Sequence, residues 1–172
     1  VDDADAAVEV LVARRRYDLA GMAAERLSNL EQAADYYLRG GLEFEAARAL
    51  VASGRDRDAG RIYERVIASE PPDDIAARAH LELGRLLARR LQHEAAVNHL
   101  QHAANHPQLR ASARLDMVRE FVALGMRQAA RDVLLLARAE DETLPASLDT
   151  FLRDDRSARR EQIDRETTGD AS

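Results

Sequence analysis

The chain has 172 residues, of which 33% are charged and only 4% aromatic, and its formal net charge is −6. So few aromatic residues suit thin layers of helix better than a thick globular core, and the acidic balance works against phosphate-rich partners. All 25 basic residues are arginine and cysteine is absent, which excludes disulfides and thiolate metal sites and fits a GC-rich bacterial genome.

No apolar run approaches the roughly 20 residues of a membrane span, and the acidic start Val1-Asp2-Asp3 lacks the basic and apolar stretches of a signal peptide. These features read as cytoplasmic. The missing initiator methionine reads as a fragment, which leaves room for a signal or companion domain removed from it.

In chain order, the apolar periodicity predicts helices near 3–15, 17–28, 30–39, 42–53, 56–69, 73–90, 92–106, 109–124, 126–140 and 146–158, about ten in all. Strand-like alternation is absent, and Gly40-Gly41, Gly54 and Gly125 fall at helix ends. The fold is therefore expected to be all-α, with the helices paired into five hairpins. Asp73 or Asp74, after Pro71-Pro72, is placed as the N-cap of the longest helix. Beyond Pro145, Leu148, Phe151 and Leu152 form one apolar stripe, read as a capping helix over 146–158, and 159–172 is a polar tail with almost nothing to bury.

An alanine followed four positions later by a large apolar residue returns five times: Ala7/Leu11, Ala34/Leu38, Ala59/Tyr63, Ala96/Leu100 and Ala130/Leu134. Each pair is one helix face, and two helices that pack closely need a small residue on one to receive a large residue from the other. The last two copies are 34 residues apart, and Leu83, Leu87 and Ala103 likewise map onto Met117, Phe121 and Ala137. Residues 40–73 add Ala47, Leu50, Gly54, Ala59, Tyr63 and Pro71 in the same frame.

This pattern resembles the tetratricopeptide repeat (TPR) family over 40–73, 77–110 and 111–144, about 105 residues. Residues 1–39 have shorter spacings and are TPR-like. The resemblance implies one helical-repeat domain over 1–158, a right-handed α-solenoid of antiparallel helix pairs with a concave groove on its inner helices.

In that family the ninth residue of each repeat faces the groove, together with the second, fifth, twelfth and thirteenth. The resemblance therefore places Arg48, Arg85 and Arg119 in the groove, flanked by Arg78 and Arg89, beside an apolar row of Phe44, Leu81 and Leu115. Guanidinium forks bind carboxylates in bidentate fashion, so this surface suits a partner with acidic groups and apolar anchors. Against that stands Glu45, Glu82 and Asp116, each three residues before one of the arginines, the spacing of an intrahelical ion pair. Both readings stay open. The co-chaperone type of TPR uses lysine and asparagine at the fifth and ninth positions, and neither is present.

No phosphate loop, nucleophile elbow or interpretable serine, histidine and aspartate set is found, so no enzyme and no cofactor are expected. His99, His102 and His106 share one predicted helix and read as solvated polarity, with no metal expected, while His80 reads as a packing residue. The function expected is a protein-protein interaction scaffold or adaptor that holds a partner protein or peptide. The alternative is self-association into a homo-oligomer through the N-terminal edge near Tyr36 and Tyr37. Nucleic acid ranks last, since the net charge repels phosphate.

Overall fold

A computed structural model describes the backbone of residues 3–140; the expected capping helix at 146–158 and the tail at 159–172 lie outside the described residues. Nine helices fill the described part: α1 (Asp3–Ala13), α2 (Tyr17–Arg26), α3 (Leu30–Arg39), α4 (Glu43–Ala52), α5 (Asp56–Ala68), α6 (Asp73–Arg89), α7 (His93–Ala104), α8 (Arg110–Ala123) and α9 (Arg127–Glu140). Their bounds fall within two residues of those expected. Among the described residues there is no strand, and no helix is long and apolar enough to cross a membrane. Each helix packs on the next in chain order.

The spacing has two regimes. Helices α2 to α5 start at Tyr17, Leu30, Glu43 and Asp56, a constant step of 13 residues, whereas α8 and α9 start 17 residues apart at Arg110 and Arg127. The short step is written in the turns. The N–H groups of Arg16, Asn29, Leu42 and Arg55 donate to the carbonyls five residues back, on Leu11, Ala24, Tyr37 and Leu50, at 2.8–2.9 Å. Gln92 and Met126 close their turns in the same way onto Leu87 and Phe121. This closure requires a left-handed residue just before the donor. Gly41, Gly54 and Gly125 supply it without strain, while Arg15, Ser28 and Leu91 adopt positive φ despite their side chains.

The helix crossings repeat more strictly than the helix lengths. A Cβ built on Gly84 of α6 would lie 2.9 Å from Leu100 of α7, and one built on Gly21 of α2 would lie 2.5–2.8 Å from the Tyr37 ring of α3. Small residue and large residue are 16 positions apart in both cases. The same spacing separates Ala47 from Tyr63 in one buried cluster and Val118 from Leu134 in the other. Ala33, Ala59, Ala96 and Ala130 sit 12 positions after Gly21, Ala47, Gly84 and Val118, and each is fully buried.

Two expected pairs change as a result. In α3 the working pair is Ala33/Tyr37 rather than Ala34/Leu38: Ala34 is buried as well, but Leu38 is 39% exposed while Tyr37 covers Gly21. In α1, Ala7 is exposed and Val8 takes the buried place. Neither Asp73 nor Asp74 caps α6 by a side-chain hydrogen bond; Pro72 is the N-cap, and its carbonyl accepts from Ile75 at 2.9 Å and Ala76 at 3.0 Å. The two aspartates instead occupy the first turn, where their charge favours the helix N-terminus.

The buried side chains form two clusters, one running from Ala24 to Leu86 and the other from Leu81 to Leu134. They meet on α6, where Ala79, Leu83 and Leu86 belong to the first and Leu81 to the second. Removing the order of α6 would therefore disconnect the two halves.

Candidate functional site

The arginines singled out by the sequence lie on α4, α6 and α8, and most of them bridge helices rather than stand alone. Arg85 uses three N–H groups: Nε donates to Asp116 Oδ2 at 2.7 Å, Nη2 to Ser112 Oγ at 2.7 Å and Nη1 to Glu82 Oε1 at 3.2 Å. Two of these partners belong to α8, so Arg85 ties α6 to α8. Asp116 also accepts from Arg119 at 2.6 Å, which makes Glu82, Arg85, Asp116 and Arg119 one continuous network. Burial works against the Arg85 charge, but hydrogen bonding and the field of Asp116 and Glu82 outweigh it and hold the guanidinium above its ordinary value.

The intrahelical spacing holds for Arg85 with Glu82 and for Arg119 with Asp116. It does not hold for Arg48, which reaches across to Glu25 of α2 at 3.4 Å instead of pairing with Glu45. Arg89 likewise contacts Asp56 of α5 at 3.3 Å. These long contacts on solvent-exposed side chains are weak, whereas Arg85 is the best-anchored of the set. Arg78 lies over the Phe44 ring, its guanidinium carbon 4.7 Å from the ring centre.

The apolar row is largely withdrawn from the surface. Phe44 is 8% exposed and Leu81 5%, both belonging to the clusters above, and Leu115 is half-buried. A cleft of about 410 Å³ opens where α4, α5 and α6 meet, lined among others by Leu42, Phe44, Val66, Ser69, Ile75 and Arg78. Phe44 packs edge-on against Tyr63, with ring centres 5.7 Å apart. The Tyr63 hydroxyl is fully buried and has no hydrogen-bond partner. Burial raises its pKa, Glu82 adds to the rise, and Arg48, Arg89 and Arg78 pull the other way, so the hydroxyl senses charges on both α4 and α6. In α3, Tyr37 is pushed up to about 12 by burial and by Glu25.

Three of the five histidines meet elsewhere, between α6 and α7. His80 Nδ1 lies 2.9 Å from His99 Nδ1, and the His80 ring stacks on His102 with centres 4.6 Å apart. His99 and His106 are half-buried, which corrects the expectation that the histidines of this helix are only solvated polarity. A signal for this was present: His80 is one turn before Gly84, and His99 adjoins Leu100, so the crossing of Gly84 with Leu100 brings them together. A second cleft, also about 410 Å³, is lined by His80, His102, His106, Asp73 and Asn105. The fifth histidine, His93, hydrogen-bonds buried Glu120 of α8 at 2.7 Å, a link that the sequence reading missed. Among the described residues no group of three histidines or carboxylates is placed to hold a metal ion.

No family model, no curated protein and no solved structure matches this chain.

Proposed function

We propose that the chain is a TPR-like interaction scaffold: a right-handed superhelix of antiparallel pairs whose inner helices α2, α4, α6 and α8 border a groove for an acidic protein segment. The observation that carries the reading is the arginine row itself, spread over three of those helices. In it Arg85 is fixed by α8, while the more exposed Arg48, Arg78, Arg89 and Arg119 keep donor capacity for carboxylates. The constant crossing spacing in four successive helix pairs supports the repeat architecture, and extended surfaces of this kind are used for binding rather than catalysis. A cytoplasmic bacterial setting is supported by the all-arginine, cysteine-free composition.

Selection of binders from a random peptide display library tests this. Enriched peptides should carry carboxylates, and Arg48→Glu with Arg119→Glu should weaken them at least tenfold, about 1.4 kcal/mol, without loss of helix content. Enrichment without acidic residues, or equal binding by the variant, would overturn it.

Self-association is the second reading. Tyr37, expected at the N-terminal edge, is instead buried against Gly21, and the reading is favoured by Val10, Leu19 and Met22, which leave exposed apolar surface on α1 and α2. A molar mass in solution that stays at 19.1 kDa at high concentration would remove it.

A further inference from the structure

We propose that the seam between α6 and α7 carries a proton-sensitive latch made of His80, His99 and His102, closed while the rings are neutral and weakened progressively as the pH falls. The inference stands apart from the groove, since it concerns how the helix pair is held together rather than what it binds.

The geometry of the contact admits one proton, not two. With Nδ1 of His80 and Nδ1 of His99 only 2.9 Å apart, one nitrogen must donate and the other accept. An imidazolium carries hydrogen on both nitrogens, so charging both rings replaces the hydrogen bond with two opposed donors and a like-charge pair. The His80 ring is also stacked on His102, tilted by only 18°, and protonation of both rings adds a second repulsion. Burial holds His80 down to about 4, with His102 and His99 adding to the depression. His99 is lowered by burial and by His102, against which Glu64 of α5 is the opposing charge. Asp73 and His106 face the adjoining cleft.

Two other helix pairs, α4–α5 and α8–α9, show different contacts at this place in the seam. His80 and His102 are 22 residues apart, and the same separation joins Glu43 of α4 to Arg65 of α5 at 2.8 Å and Arg114 of α8 to the carbonyl of Leu136 in α9 at 3.3 Å. Those links join a cation to a carboxylate or to a carbonyl, so neither sets two bases against each other. Only α6–α7, among the three, uses partners that become like-charged.

The direction follows from proton binding. Because the folded state lowers the pKa of His80 and of His99 below the unfolded value near 6.5, the unfolded chain binds more protons as pH falls. The stability of this pair is complete above about pH 6.5 and is lost progressively towards pH 4. Gly84 against Leu100, one turn away, leaves little slack to absorb the repulsion.

The test is a series of melting curves from pH 7.5 to 5.0 on the full chain and on His80→Glu/His102→Arg, which copies the Glu43–Arg65 link. The parent should lose at least about 3 °C more than the variant over this range. Parallel losses would overturn the latch. Should the variant fail to fold, an NMR titration of the parent decides: His80 and His99 must titrate below the ordinary histidine range, and ordinary values for both would overturn it equally.

Discussion

Helices α2 to α5 and helices α6 to α9 solve the same packing problem at different lengths. In the first set α2 to α4 have 10 residues each, while α6 reaches 17 and α8 and α9 have 14. Yet the buried alanine follows the small residue by 12 positions, and the large residue follows it by 16, in both sets. What is held constant is the crossing, where backbones approach and a methyl group decides the fit. Extra length is added away from the crossing, where a turn of helix meets fewer constraints. The short set depends on glycine and tyrosine at Gly21 and Tyr37, the long set on glycine and leucine at Gly84 and Leu100.

The largest expected effect breaks this equivalence if it is false. Tyr37→Ala should cost about 3–5 kcal/mol, as for loss of a buried aromatic ring, whereas Leu38→Ala should stay within about 0.5 kcal/mol. Urea denaturation of the two variants measures both. Similar costs would mean that the short set crosses in another register.

Overpacking comes next. Ala33→Leu and Ala96→Leu should each lose about 1–3 kcal/mol, one from either set, and a neutral Ala33→Leu would show that only the long set packs tightly. Glycines refine the comparison further. Gly60→Ala adds a methyl at ordinary contact distance, 3.7 Å from Leu86, and should gain about 0.5–1 kcal/mol from helix propensity. Gly21→Ala, with the Tyr37 ring in the way, should instead be destabilising in the same melt.

Turn chemistry gives a smaller effect of opposite sign. Leu91 holds a left-handed turn at φ 58° while 75% exposed, so Leu91→Gly should stabilise by up to about 1 kcal/mol. Gly54→Leu, the reverse change in the short set, should lose a similar amount. The smallest effect is the Arg85–Asp116 bridge. A double-mutant cycle should return a coupling of about 0.5–1 kcal/mol, because the Arg85 side chain remains 38% exposed. A coupling near zero would leave Arg85 as available to ligand as its neighbours.

Helix positions were legible in the sequence because they depend on signals a few residues long: apolar residues at helical spacing, glycine at Gly41, Gly54 and Gly125, and proline before α6. The crossings at Ala59, Ala96 and Ala130 were legible for the same reason, since small and large residues recur at fixed separations. Where two candidates stood side by side, as Ala33-Ala34 and Tyr37-Leu38 do, both fit the period within one residue, and only the contact of Tyr37 with Gly21 distinguishes them. Long polar side chains were a different matter. Arg48 has Glu45 one turn back and Glu25 a helix away, and the rotation between α2 and α4 decided for Glu25. The same holds for His80 with His99 and for His93 with Glu120, which join residues 19 and 27 positions apart. The chain by itself determined its helices and most of their points of closest approach, because backbone periodicity and side-chain volume act locally. Tertiary structure alone decided which charges and imidazoles meet, because a flexible side chain has several partners within reach until the helices are docked.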